Sequence, residues 1–157
     1  MKSFFRGVLV AAAIWTTACG SRTTPPPPIP ATEHEHHAPH GGTLVELGSE
    51  FAHVELVLDS AGGSLTAYVL DGDAEESVRI KQPFLSLAIR NTPTGAIEHL
   101  ELAARADVLT GETVGDTSEF SVTSPSLGGR SALKGSIDDI TVKGEEFRGV
   151  PFQASAL

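Results

Sequence analysis

After Gly42 the chain alternates short apolar runs with clusters of glycine, serine, asparagine and proline. In the run from position 51 to 58, every second residue from Ala52 is apolar. One face of a strand there would be buried, and the other face, which carries His53 and Glu55, would point outward. No segment shows a convincing 3.6-residue period. The pattern therefore predicts an all-β fold.

Eight or nine strands are expected, separated by turn signals such as "DSAGGS" and "NTPTG". Their number and spacing are typical of a small antiparallel β-sandwich or a partly closed barrel, formed by a single domain over residues 41–157. Residues 110–129 are rich in glycine, serine and threonine, which favours a loop. The predicted strands are Thr43–Leu47, Phe51–Leu58, Leu65–Leu70, Ser77–Ile80, Phe84–Arg90, Ile97–Ala103, Glu119–Thr123, Ile137–Lys143 and Glu145–Phe152.

The first 18 residues have the features of a signal peptide. A basic start is followed by an uncharged, mostly apolar run that is too short to span a bilayer, which needs about 20 residues. The run ends at Cys19, the only cysteine, and resembles a bacterial lipoprotein signal, with Thr16 where that family usually has an aliphatic residue. The resemblance implies lipidation of Cys19 and, because Gly20 follows, the periplasmic face of the outer membrane. The alternative is an ordinary cleaved signal with a chance cysteine.

Residues 19–40 are expected to form a disordered Pro/His-rich tether. Four consecutive prolines favour polyproline II, which rises about 3.1 Å per residue, so the segment could reach on the order of 60 Å. It would hold the folded domain clear of the membrane.

The end of this tether concentrates histidine. Four of the six histidines lie within "HEHHAPH": His34, His36, His37 and His40. Neutral imidazole binds Zn²⁺, Cu²⁺ or Ni²⁺, and the intervening glutamates add negative potential and oxygen ligands. We expect weak, exchangeable sites, because nothing in a flexible segment preorganises them. Two other interpretations are a solvated spacer and a pH-responsive tether.

The folded domain could add ligands to this cluster. His53 and Glu55 are two residues apart on the predicted outward face of one strand, where His40 could complete a site. The alternative is a solvent-facing polar pair. His99 and Glu101 repeat the spacing on another strand, and the acidic stretch from Asp71 to Glu76 lacks the residue positions of an EF-hand loop, so an acidic turn is expected there.

The negative net charge and the absence of known catalytic motifs exclude several classes of function. The formal charge is −9 and would be more negative after loss of Lys2 and Arg6 with the signal, which argues against nucleic acid or anionic lipid surfaces as partners. No nucleophile elbow, H-E-x-x-H or phosphate loop is present, and no cysteine follows Cys19, so we expect a non-catalytic protein. An envelope protein partner is the alternative to a metal as the ligand.

The stretches "HAPHGG", "LVELGSEFAHVELVLD" and "GGSLTAYVLDGDAEESVRI" resemble a group of His-rich lipoproteins of planctomycete-type bacteria. They are also similar to the His-rich leader and first β segment of CzcB/CusB-like periplasmic adaptor proteins of heavy-metal efflux. The resemblance covers about residues 34–80, with His40, Gly41 and Gly42 as the matching positions. It implies a metal-related periplasmic setting, but not a pump role, because the coiled-coil and lipoyl-like parts of an adaptor are missing.

Overall fold

A computed structural model describes residues 36–90 and 94–157, and this part of the chain is built from β-strands. It contains no α-helix, only a 3₁₀ turn at Pro125–Leu127, and so no helix long and apolar enough to cross a membrane. The all-β prediction is confirmed. The strands are β1 Thr43–Leu47, β2 Ala52–Asp59, β3 Ser64–Leu70, β4 Phe84–Arg90, β5 Ile97–Ala104, β6 Glu119–Thr123, β7 Ala132–Val142 and β8 Glu145–Ser155.

The eight strands form one antiparallel sheet in the order β1-β2-β3-β6-β5-β4-β7-β8. The two ends of the sheet meet where Ala156, just after β8, makes a parallel bridge to Leu58 of β2. The amide of Leu157 donates to the Leu58 carbonyl at 3.1 Å, and the Ser155 amide donates to Thr43 Oγ1 at 3.2 Å. The sheet is therefore nearly closed into a barrel, which is one of the two architectures expected from the sequence.

Alternating residues of the strands fill the interior of this barrel. In β2 the inward set is Ala52, Val54, Leu56 and Leu58, all fully buried. Phe120 is the largest fully buried side chain. Each of the valine, leucine and phenylalanine side chains stabilises the fold by about 1.5–3 kcal/mol when it leaves water, so this apolar core supports the domain without a disulfide.

One predicted strand, Ser77–Ile80, is wrong. The segment makes only isolated bridges, from Ser77 to Leu70 and from Ile80 to Thr117. Asp71 turns the chain before it, because its carboxylate accepts hydrogen bonds from the amides of Glu75 and Glu76 at 2.9 and 3.2 Å. The acidic stretch is thus an Asp-capped turn.

The loop between β5 and β6 is held by the buried Glu112. Its Oε1 accepts from the Ser118 amide at 2.9 Å and from the Ser118 hydroxyl at 2.6 Å, and its Oε2 accepts from Thr110 Oγ1 at 3.1 Å. Burial alone raises the pKa of Glu112, but these hydrogen bonds and the charge of Arg79 together hold it below its ordinary value. The loop is anchored by an ionised carboxylate.

Candidate metal centre

Two of the clustered histidines, His36 and His40, lie against the outer face of the barrel. The sequence predicted residues up to 40 to belong to a disordered tether, and the structure differs from that expectation, since the compact unit already includes His36. His37 lies in the same segment but is exposed to solvent. His34 and Cys19 lie outside the described residues.

Glu55 explains why this segment packs on the sheet. Its side chain is fully buried, although it lies on the outer face of β2. Oε1 accepts hydrogen bonds from the amides of His40 and Gly42, both at 2.8 Å, and Oε2 lies 2.8 Å from His40 Nδ1. A buried carboxylate is tolerated only with such partners, so the segment is drawn over β2 by the need to satisfy Glu55.

The alternative of a solvent-facing polar pair at His53 and Glu55 is therefore wrong. Alternation places both side chains on the outer face, as predicted, but they are only 4% and 0% exposed. Both oxygens of Glu55 are engaged by residues 40–42. In this arrangement Glu55 positions His40 instead of facing an open coordination position.

Two glycines make the close approach possible. Gly41 adopts a φ of 74°, in the left-handed region that glycine enters without strain. A Cβ on Gly42 would lie 2.6 Å from the Leu56 carbonyl oxygen and 2.8 Å from Val57 Cγ2. The pair thus lets the chain turn and lie directly on β2 before β1 begins.

The ring of His40 stacks on Tyr68. The two rings are nearly parallel, at 7°, with centroids 3.7 Å apart. Tyr68 lies opposite Glu55 in the β2–β3 ladder. Burial and then the charges of Glu119 and Glu55 raise the pKa of Tyr68 above its ordinary value, so the phenol is neutral. His40 is therefore fixed by a carboxylate on one side and an aromatic face on the other, while its side chain stays 40% exposed.

A second pair of rings forms beside this one, between His36 and His53. Their centroids are 4.8 Å apart and their planes are inclined at 55°. His36 Nδ1 lies 3.2 Å from the Asp73 carbonyl oxygen, and His53 Nδ1 lies 3.2 Å from that of Asp71. A carbonyl oxygen can only accept a hydrogen bond, so each Nδ1 must carry its proton. In the neutral rings the lone pair is then on Nε2.

Glu50 faces the free nitrogen of His36. The Nε2 atom of His36 is buried without a hydrogen-bond partner among the described residues, and Glu50 Oε1 is 3.5 Å from it. Glu50 lies in the β1–β2 turn at a φ of 54°, which is uncommon for a residue other than glycine or asparagine. Gly72 lets the loop that supplies both carbonyls pack against the backbone of this turn, because a Cβ there would overlap the Glu50 carbonyl oxygen.

Sequence reasoning missed Glu50, Tyr68 and the two carbonyls. The hairpin signal at residues 59–64 could have placed Tyr68 opposite Glu55, because a turn fixes the register of the strands that follow it. No sequence signal shows that Glu50 adopts a left-handed conformation or that a loop carbonyl points at His53. These features arise from packing between segments.

His99 and Glu101, the second pair with this spacing, are both exposed on β5, and the contact that His99 makes is with Asp138 of β7. His99 Nδ1 lies 3.4 Å from Asp138 Oδ2, and the His99 side chain is 68% exposed. Across residues 36–90 and 94–157, no three histidine, cysteine, aspartate or glutamate side chains are placed to hold one metal ion as they stand. No protein-family model, curated protein or solved structure matches the chain.

Proposed function

We propose that this protein is a membrane-anchored envelope lipoprotein that binds or buffers a divalent transition metal through its His-rich segment. The lipid anchor would be at Cys19, on the periplasmic face of the outer membrane, and the role would be non-catalytic. Zn²⁺, Cu²⁺ and Ni²⁺ are the ions whose ligand preferences include imidazole. The signal-like N-terminus and the concentration of histidines support this assignment.

The observation that carries the proposal is that three histidines on the outer face of the barrel each direct Nδ1 at an oxygen acceptor. The Nδ1 atoms of His36, His40 and His53 lie 3.2, 2.8 and 3.2 Å from oxygen acceptors. Histidines that ligate metals characteristically donate their second nitrogen to a carboxylate or a backbone carbonyl, which fixes the ring and makes the free nitrogen a better ligand. All three rings would present Nε2 to an ion.

The charge around these rings also favours cations. Glu55 and Glu50 lie within 3.5 Å of His40 and His36, and the whole chain is acidic. The exposed His37 would add a ligand of lower affinity, because a side chain that must be ordered on binding loses conformational entropy. His34 belongs to the same cluster in the sequence and is a further candidate ligand. We therefore expect one stronger class of site and further exchangeable ones.

Equilibrium dialysis of the full mature chain against Zn²⁺, Cu²⁺ and Ni²⁺ tests the proposal. Protein isolated without an affinity tag should carry one of these metals or take it up. Changing His34, His36, His37 and His40 together to Ala should abolish most of the uptake. The matched control is His99→Ala, which removes an exposed histidine elsewhere and should change nothing. Wild-type protein that neither contains nor binds these ions would refute the proposal.

The anchor is tested separately. Mass spectrometry of the mature protein should find a diacylglyceryl group on Cys19, and Cys19→Ser should release the protein from the membrane fraction. Recovery of the Cys19→Ser variant with the membrane, in the same proportion as the wild type, would contradict lipid anchoring.

A second candidate function, docking to an envelope protein, is favoured by one surface feature. Val108 and Leu109 at the tip of the β5–β6 loop are 99% and 96% exposed, and Val114 nearby is 63% exposed. Apolar side chains that are so completely exposed at a loop tip are typical of a contact surface. Cross-linking in intact cells from a photoreactive residue at position 109 should trap one defined partner. A control probe on the exposed face of β5, at Glu101, should not.

A further inference from the structure

We infer that His36, His53 and Glu50 form a single defined site for one tetrahedral transition-metal ion, with Zn²⁺ as its simplest occupant. The site would be distinct from the loose binding expected of the remaining histidines. The inference rests on the proposed metal-binding function and deepens it, because it names the ligands and adds two residues of the folded domain. It also excludes Glu55, which positions His40.

The distances from His36 to each of its two neighbours, Glu50 and His53, match those expected around a shared ion. A tetrahedral Zn²⁺ with bonds of about 2.0–2.1 Å separates any two of its ligand atoms by about 3.3 Å. His36 Nε2 and Glu50 Oε1 are 3.5 Å apart, which is long for a hydrogen bond. Two imidazoles bound through Nε2 to one such ion have ring centroids about 5 Å apart, and those of His36 and His53 are 4.8 Å apart.

The protonation of the rings points the same way. Because the carbonyls of Asp73 and Asp71 fix the protons on Nδ1, a neutral His36 turns a lone pair toward the Glu50 carboxylate. The buried Nε2 has no hydrogen-bond partner in the described chain. A cation between this nitrogen and the Glu50 carboxylate would coordinate both.

Glu50 is the ligand that would have to move, because no three such side chains in the described chain are placed to hold an ion as they stand. Glu50 is 54% exposed, so its carboxylate can rotate toward the two rings without displacing a packed neighbour. His53 is held by β2 and by the Asp71 carbonyl, and His36 by the Asp73 carbonyl. A rotation of Glu50 would complete a set of two imidazoles and one carboxylate, with water as the fourth ligand.

The position of the site also defines what binding would do to the chain. His36 precedes β1, Glu50 lies in the β1–β2 turn and His53 is on β2. An ion held by all three would fasten the segment that leads from the membrane anchor to the first hairpin of the barrel. Metal binding would therefore stabilise the folded form and raise Tm with increasing Zn²⁺.

Calorimetric titration of the full mature chain with Zn²⁺ tests this assignment. Wild type should show one strongest site with a stoichiometry of one. Glu50→Gln keeps the size of the side chain and should weaken that site at least about tenfold. His53→Gln should remove it. The matched controls are Glu101→Gln and His99→Ala, at exposed positions on β5, and both should leave the strongest site intact.

Two further readouts separate a metal site from a structural role. Because His53 is buried, Glu50→Gln serves as the variant that should fold like wild type, and its Tm without metal should be unchanged. Nitrogen NMR of the histidine side chains should show that Zn²⁺ perturbs Nε2 of His36 and of His53 together. Rings that remain imidazolium, with His36 paired to Glu50 in the presence of excess Zn²⁺, would overturn the assignment.

The outcome distinguishes the inference from the broader function. If Glu50→Gln and His53→Gln leave the strongest site unchanged while the fourfold alanine variant loses all uptake, the ligand set is wrong but metal capture by the His-rich segment stands. If wild type binds no Zn²⁺, Cu²⁺ or Ni²⁺, both are overturned.

Discussion

Replacing the buried carboxylate of Glu55 should detach the His-rich segment from the barrel. Glu55→Ala removes the acceptor of three hydrogen bonds, all 2.8 Å long, from the amides of His40 and Gly42 and from the His40 ring. Hydrogen bonds to a charged group contribute about 1.5–3 kcal/mol each. The full sum overstates the loss, because His40 is 40% exposed and the freed amides reach water once the segment lifts away. We expect unfolding free energy to fall by about 2–4 kcal/mol.

Two measurements check this value and its cause. Urea unfolding of the metal-free protein gives the change in stability. Hydrogen exchange should show that the amides of His40 and Gly42 lose their protection, while the amides that pair β2 with β3 keep theirs. Glu55→Gln should cost only about 1 kcal/mol, because the remaining oxygen can still accept from both amides. Its NH₂ group would donate to His40 Nδ1 and so move the proton of that ring to Nε2.

Glu101→Ala provides the matched control. Glu101 is an exposed glutamate on β5, so its loss should change stability by no more than about 0.5 kcal/mol. The reasoning fails if Glu55→Ala is as stable as this control. It also fails if the amides of residues 40 and 42 stay protected from hydrogen exchange in Glu55→Ala. Either result would mean that other contacts hold the segment in place.

Three further changes have defined outcomes. Gly135→Ala would place a Cβ against the Ala88 carbonyl oxygen on β4, so urea unfolding should show a loss of about 2–4 kcal/mol; an unchanged midpoint would contradict it. The lowered pKa of Glu112 adds stability that is complete above its unfolded pKa of about 4.3 and is lost as pH falls through the folded pKa. The difference in unfolding free energy between wild type and Glu112→Gln should therefore shrink below about pH 4. A difference that stays constant with pH would contradict this reasoning. Leu109→Ser should leave Tm unchanged, since the side chain is 96% exposed, and a lower Tm would show that it packs in solution.

The strands were largely predictable from the local pattern of residues. Alternation and turn signals placed β1 and β4 at the residues observed and β2 within one residue at each end. They succeeded because alternate side chains of a strand point to opposite faces, so a half-buried strand shows as alternating apolar and polar residues. The failure at Ser77–Ile80 has one local cause and one tertiary cause. Asp71 closes a turn ahead of it, and the ladder position beside β3 is occupied by β6, which arrives from much later in the chain.

The candidate site was predictable only in its ingredients. The histidines of residues 34–40 stand out by composition, and the alternation of β2 placed His53 and Glu55 on one face. The sequence did not show how deeply these two side chains are buried. The segment that covers them is the same His-rich stretch that local sequence patterns assign to a disordered tether. Burial of an outward face depends on what packs over it, and that is a contact between segments.

By itself, the sequence determined the class of fold, the boundaries of most strands, the acidic character and the concentration of imidazoles ahead of the first strand. These properties depend on the order of residues over a few positions. Only the tertiary structure decided that the sheet bends into a barrel and that both Glu55 oxygens bind residues 40–42. It also decided that Glu50 lies beside His36, whose ring packs against that of His53. Such pairings depend on the free energies of contacts between distant segments. Here the cost of leaving a buried carboxylate without hydrogen-bond partners outweighs the conformational entropy that the segment loses when it packs.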